Sequence, residues 1–288
     1  MKKKKELRDL NLMDRFLFSE AMEDREFAED VLSIILGEEI YLKNSPQAEK
    51  ELRNSTLNKT IKLDVWADDV YGRLYDTEVQ NKNTKNIPRR SRYYQGFIDC
   101  NLLESGDIEY NGLNDTEIIM IAPFDLFGAG RYLYRFRPVC IDDKEIVLED
   151  GTERIFLNTR GTDTENITPE LKSLLEFFES TTEETAQRSE CDRIQSMYRK
   201  IDKIKSNGEI GVKYMHRWEE IELEKQDARI EGREEGRVEG RKEGREEGRV
   251  EGYEEGKREI AANLKKAGVD NEIIAAGTGL SLEEIEGL

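Results

Sequence analysis

The sequence predicts an α/β fold: a mixed sheet flanked by helices, with a helical extension at the C-terminal end. Three observations carry this. Residues 60–81, TIKLDVWADDVYGRLYDTEVQN, read as two short strands joined by a turn. Residues 116–122, TEIIMIA, form a continuous apolar run of strand length, which suits a strand buried on both faces. Apolar residues at helical spacing precede and follow both segments, and strands interleaved with helices build a layered α/β core.

The length of 288 residues suffices for one sizeable domain and an extension. Hydrophobic residues make up 36% and charged residues 38%, which reads as an ordinary globular part diluted by a very polar tail. A net charge of −18 argues against wholesale adhesion to nucleic acid, because phosphate repels an acidic surface. Any DNA contact then needs a local basic patch or a metal. Cys100, Cys140 and Cys191 are far apart and the only histidine is His216, so no Zn site can be built. The cysteines fit a reducing cytoplasm. The start, MKKKKELRDLN, is basic without a following apolar region and is not a signal peptide. No stretch reads as a membrane span, so a cytoplasmic protein without a membrane partner is expected.

Taken in order, Met13, Phe16, Leu17, Met22 and Phe27 begin a helical pattern that continues through Val31, Ile34 and Ile35 to Gly37, its expected C-cap. Asp14 reads as an N-cap or an exposed residue. Residues 38–42 suit a short strand, and residues 44–58 are polar and indecisive. In the hairpin, Ile61, Leu63 and Val65 alternate with Lys62 and Asp64, and Asp68, Asp69 and Gly72 supply turn chemistry. Side chains two apart on a strand share a face, so Glu78 and Gln80 project together, and Asp64 joins them if the strands pair. Two carboxylates converging at a strand end make a hard-oxygen site of the kind that takes Mg²⁺. A solvated hairpin face is the plainer alternative.

Pro88 opens a helix over residues 89–104, with Arg90 and Tyr94 one turn apart on one face and Phe97 and Ile98 directed inward. Lys82, Lys85, Arg89, Arg90 and Arg92 form a basic cluster in an otherwise acidic chain. It is available either to DNA phosphates or to the chain's own carboxylates. Residues 132–140 and 155–157 read as further strands. Thr168 is a good N-cap for a helix running to Phe178, and a helix over residues 189–205 carries the ladder Ile194, Met197, Tyr198, Ile201 and Ile204.

From Glu231 glycine recurs at every fourth position: Gly232, Gly236, Gly240, Gly244, Gly248, Gly252 and Gly256. Each costs a helix about 1 kcal/mol relative to alanine. The segment is therefore either a flexible charged linker or a helix stabilised by a close packing surface. A Glu row flanks the glycines on one side and a row of mostly Arg on the other. In a parallel pair Glu faces Arg, so parallel self-association is expected over residues 231–257. In the last segment Ser281 with Glu284 forms a capping box in a small helix-turn-helix-like end.

The stretch KLDVWADDVYGRLYDTEVQ, followed by RRSRYYQGF, a helix-closing glycine and a strand ending IAPFDLFG, resembles the Rpn-type recombination-promoting nucleases, also called PD-(D/E)xK family transposases. Their motif is an Asp followed by (Asp/Glu)-x-Lys, here Asp64 and Glu78-Val79-Gln80, with Gln often at the third position. The likeness covers residues 10–157 and the tail. It implies a restriction-endonuclease-like core and a Mg²⁺-dependent DNA endonuclease, with Mn²⁺ as the alternative ion. Asp64, Glu78 and the Val79 carbonyl would hold the metal, and Gln80 would orient water. Arg90 and Tyr94 match the family's Arg-x-x-x-Tyr, and Arg89, Arg92 and Lys82 would join them on DNA. Lys82 is also a candidate for the charge that Gln80 lacks. Asp14 falls where a further acidic residue is often found. The division expected is a core at 1–165, a helical region at 166–228, the repeat at 229–257 and the terminal unit at 258–288. The alternative to an enzyme is a catalytically weak or inactive nuclease fold acting as a DNA- or partner-binding oligomer.

Overall fold

A computed structural model of the chain describes residues 5–53, 60–103, 109–165 and 167–288. It divides into two compact units, Met1–Tyr214 and Met215–Leu288.

The first unit is built on a six-stranded mixed sheet: β1 (Gln47–Leu52), β2 (Ile61–Asp68), β3 (Leu74–Val79), β4 (Thr116–Ala122), β5 (Leu133–Phe136) and β6 (Thr152–Asn158), in the order β1-β2-β3-β4-β6-β5. β1, β2 and β3 are antiparallel neighbours, whereas β3, β4 and β6 run parallel. β4 is buried along its whole length, as a strand with neighbours on both edges and helices on both faces must be. The predicted hairpin is present. Asp69 Oδ1 accepts from the amides of Tyr71 and Arg73, each at 2.9 Å, and Gly72 takes φ 88° to close the turn.

One face of the sheet packs on α1 (Arg15–Met22), α2 (Arg25–Leu36), α4 (Pro169–Glu179) and α6 (Asp192–Ser206), with α5 (Glu183–Arg188) between the last two. The ladder Ile194, Met197 and Ile201 is buried there, with Tyr198 and Ile204 against it. The other face packs on α3 (Ile87–Leu102) through Ile87, Phe97 and Ile98. The expected end of α3 at Glu104 and the glycine after it lie outside the described residues. Gly37 caps α2 at φ 78°, and Thr168 accepts from the Leu171 amide at the start of α4.

Three expectations are corrected. The long N-terminal helix is two, because Asp24 accepts from the Phe27 amide and starts α2 afresh. Residues 38–42 are not a strand; only Leu42 bridges, to Asp69. The strand on that side is β1, whose charged residues hid it. The strand expected over 132–140 is only β5, followed by a bridge from Val139 to Val147.

α7 (Gly208–Lys266) is a 59-residue helix that contains the whole glycine repeat, so the repeat is helical. A Cβ added at any of the seven repeat glycines would meet nothing within 4 Å. In the second unit Ala261, Ile274, Leu280 and Ile285 form a small core between α7, α8 (Asn271–Thr278) and α9 (Leu282–Glu286), and the Ser281–Glu284 capping box is present. Among the described residues no helix is long and apolar enough to cross a membrane.

Candidate metal centre

β2 and β3 pair through Val65 and Thr77 and then part. One position further on, side chains replace the ladder. The Asp64 amide donates to Glu78 Oε1 at 3.0 Å, and the Val79 amide donates to Asp64 Oδ2 at 3.3 Å. Asp64 and Glu78 are thereby drawn together and buried. Gln80 joins them as the alternation predicts, its Nε2 donating to Glu78 Oε2 at 2.9 Å.

Two arginines face this pair. Arg90 on α3 brings Nη2 to 3.9 Å from Glu78 Oε2 and lies over the Tyr94 ring at 5.7 Å. Arg15 on α1 forms an ion pair with Asp64 Oδ1. Asn81 ties the end of β3 to the start of α1 by donating to the Met13 carbonyl, which brings Arg15 within reach. Asp14 itself is the N-cap of α1, accepting from the Phe16 amide at 3.0 Å. Burial raises its pKa, and the Phe16 and Leu17 amides and then Lys5 oppose the rise. Arg89 and Arg92 are exposed on α3. β3 stops at Val79, so its alternation does not carry Lys82 onto the Glu78 face; Lys82 sits exposed in the loop that follows.

The electrostatics follow from burial. Desolvation pushes the Asp64 carboxyl up to about 6 despite Arg15, and Glu78 up to about 7, with the neighbouring Asp64 charge adding to the rise. A third carboxylate escaped the sequence reading. Asp76 sits on β3 two residues before Glu78, opposite Trp66, and is fully buried. Neither oxygen has a hydrogen-bond partner among the described residues. Its pKa lies well above the ordinary value, raised by burial and then by Glu78 and Asp64. Asp76 and Arg15 gave no signal in the sequence: one is an ordinary alternating position, the other belongs to a segment 49 residues before Asp64.

Among the described residues no three His, Cys, Asp or Glu side chains close around one point tightly enough to hold a metal alone. Mg²⁺ does not require that. It commonly takes one or two carboxylates and fills its octahedron with water and substrate phosphate oxygens. Asp64 Oδ1 is a buried acceptor whose only partner among the described residues is the Arg15 guanidinium, outside hydrogen-bond geometry. A buried anionic pair with a spare oxygen and raised pKa values is a donor set that a hard divalent cation fits.

The family model described as PD-(D/E)XK nuclease family transposase matches residues 3–229. No curated protein and no solved structure matches the chain. Since the matched span takes in the sheet, its flanking helices and the Asp64–Glu78 pair, the chain belongs to the PD-(D/E)XK nuclease family transposases.

Proposed function

We infer that the chain is a metal-dependent DNA endonuclease of the recombination-promoting, transposase-like kind. Membership of a nuclease family supports DNA as the substrate and a divalent metal as the cofactor. The observation that supports the reading best is the crossed pair of hydrogen bonds between the Asp64 and Glu78 segments where β2 and β3 part.

In this reading Asp64, Glu78 and the Val79 carbonyl hold Mg²⁺ or Mn²⁺. When bound, the ion supplies polarisation of the scissile phosphate and a lowered pKa for water. Hydrolysis forms one P–O bond to the water oxygen and breaks one to the leaving nucleotide. Gln80 holds the Glu78 carboxylate through its amide and orients the water. Being neutral, Gln80 gives no positive charge, and Arg90 at 3.9 Å from Glu78 provides it instead. Arg89, Arg92, Lys82 and Tyr94 contact phosphates on either side.

Residues 1–165 then carry the chemistry, and 166–228 are the helical region that follows. Residues 229–257 assemble copies of the chain in parallel, and 258–288 cap that assembly. The open glycine row of α7 supports the assembly reading.

The test is nicking of supercoiled plasmid with Mg²⁺ or Mn²⁺ by wild type, Asp64→Asn and Glu78→Gln. Nicking by wild type alone is expected. A wild type that binds DNA but never nicks it with either metal would favour the non-catalytic binding reading, for which Gln80 in the motif's Lys position is the specific support.

A further inference from the structure

Asp76 has no part in the metal centre as described above. Its side chain is fully buried, and neither oxygen has a hydrogen-bond partner among the described residues. Trp66 and Ile118 pair with it on the neighbouring strands, and both pack in the apolar cluster that joins the sheet to α3. A carboxyl group in such surroundings is costly unless a donor reaches it, and an apolar residue would fill the place at less cost. Burial, Glu78 and Asp64 push its pKa well above the ordinary value, and Arg90 opposes them.

Arg90 has the complementary deficit. Nε and Nη2, the two donors along one edge of its guanidinium, are buried and donate to nothing among the described residues. Nη2 stands 3.9 Å from Glu78 Oε2, beyond hydrogen-bond reach. Glu78 already has both oxygens engaged, Oε1 by the Asp64 amide and Oε2 by Gln80. Two donors on one guanidinium edge match the two oxygens of a single carboxylate, the strongest pairing an arginine makes. Asp76 offers that pair of oxygens bare.

The two groups flank one space. Asp76 and Glu78 lie two residues apart on β3, a separation of roughly 7 Å on one strand face, which the long arginine side chain spans by turning about its terminal bonds. Tyr94, over which Arg90 lies at 5.7 Å, is under the same groups: burial and Glu78 raise its pKa to about 12, Arg90 opposes and Asp76 adds. Among the described residues Asp64, Asp76 and Glu78 do not close round one point, which argues against Asp76 as a third ligand to the same ion.

We propose that Asp76 is a second seat for Arg90: when a divalent cation takes Asp64 and Glu78, the guanidinium leaves Glu78 and pairs through Nε and Nη2 with both oxygens of Asp76. The proposal rests on the nuclease reading for the cation. A cation on Glu78 repels the guanidinium beside it. Without another carboxylate in reach, Arg90 either contests Glu78 with the ion or swings out to solvent. Asp76 resolves the conflict by holding Arg90 under α3, still beside the centre and fixed in orientation toward a phosphate. Asp76 is then a positioning residue that acts through Arg90.

The test uses the full chain without DNA, so that no turnover enters. Mg²⁺ binding is measured by isothermal titration calorimetry on wild type, Asp76→Asn, Arg90→Gln and the double variant. With Arg90 present, Asp76→Asn is expected to weaken Mg²⁺ binding about fivefold, because the guanidinium stays on Glu78. In the Arg90→Gln background the same change is expected to stay within about twofold. Equal loss in both backgrounds would make Asp76 act on the ion directly, and no loss in either would leave it without a role; each overturns the proposal. A second reading needs only wild type with Mg²⁺. The arginine Nε–H resonance that disappears in Arg90→Gln is expected to shift downfield on adding Mg²⁺, as a hydrogen bond to a carboxylate requires. A resonance indifferent to Mg²⁺ overturns the seat even if Asp76→Asn does not fold. Plasmid nicking by wild type separates the two ideas. Nicking with an indifferent Arg90 resonance sinks only the seat. Mg²⁺-driven coupling of Arg90 to Asp76 in a chain that never nicks sinks only the nuclease.

Discussion

The Asp64 amide donates to Glu78 Oε1 at 3.0 Å, one position past the last paired residues of β2 and β3. A carboxylate oxygen here does the work of a strand carbonyl. Glu78→Gln keeps an acceptor in place and removes the charge, whereas Glu78→Ala leaves a buried amide unpaired, at a cost of about 1–3 kcal/mol. In EDTA at pH 8, Glu78→Gln should therefore melt at or above wild type, and Glu78→Ala below Glu78→Gln. Both should lose nicking by at least about 100-fold. Differential scanning calorimetry beside the plasmid assay separates structural loss from chemical loss.

Proton linkage gives the site a pH signature. Asp64 and Glu78 titrate at about 6 and about 7 in the folded chain, above their unfolded values, so the folded state binds more protons in between. Their contribution to stability is greatest below about pH 4 and is lost as pH rises through about 7. Asp76 acts in the same direction. Urea unfolding in EDTA at pH 5 and pH 8 should show this decline, and Asp64→Asn with Glu78→Gln should flatten it. Added Mg²⁺ should raise the melting temperature more at pH 8 than at pH 5. An equal gain at both would mean that the ion does not bind these carboxylates.

Arg15 pairs with the Asp64 oxygen that the proposed metal would take. Its ion pair with Asp64 is half open to solvent on the arginine side, which limits its worth to under about 1 kcal/mol. Arg15→Ala should lower the Mg²⁺ concentration for half-maximal nicking about threefold and leave the rate at saturating Mg²⁺ within twofold. A fall in the saturated rate would instead make Arg15 a substrate contact.

Arg90 and Gln80 should be interchangeable in one respect. If Arg90 supplies the charge that Lys gives elsewhere, Arg90→Gln lowers nicking at least about tenfold, and adding Gln80→Lys restores most of it. Gln80→Lys alone should change little. Failure of the double variant to recover would assign Arg90 to DNA positioning through Tyr94.

The glycine row makes an opposite pair of outcomes for helicity and assembly. Gly240→Leu with Gly244→Leu removes two of the worst helix formers, about 1 kcal/mol each, and fills the row with side chains. Far-ultraviolet ellipticity should hold or increase while sedimentation shows a smaller species. An unchanged sedimentation coefficient would count against parallel packing through the glycines.

The parts legible in the sequence were those whose burial is one-sided or complete. β4 could be read directly from its apolar run, and the β2–β3 hairpin from its alternation and turn. β1 could not, because Gln47, Glu49, Lys50 and Glu51 make a strand by pairing with β2 rather than by facing a core. The Asp64, Glu78 and Gln80 convergence followed from strand period alone, since one register brings all three together. Arg15 and Asp76 depended on tertiary placement. Only the docking of α1 beside the sheet gives Arg15 its partner, and only α3 above the sheet turns Asp76 from a surface acid into a buried one.

The two margins of the sheet have a consequence for the molecule in a crowded cell. β1 carries three charged residues and breaks step at Glu49, where φ is 52°; β5 is four residues long. Neither margin offers the long, flat, uncharged backbone on which a stranger's strand can template, so growth into fibrils or amorphous aggregates is blocked at both ends. The first unit can be concentrated without its sheets merging.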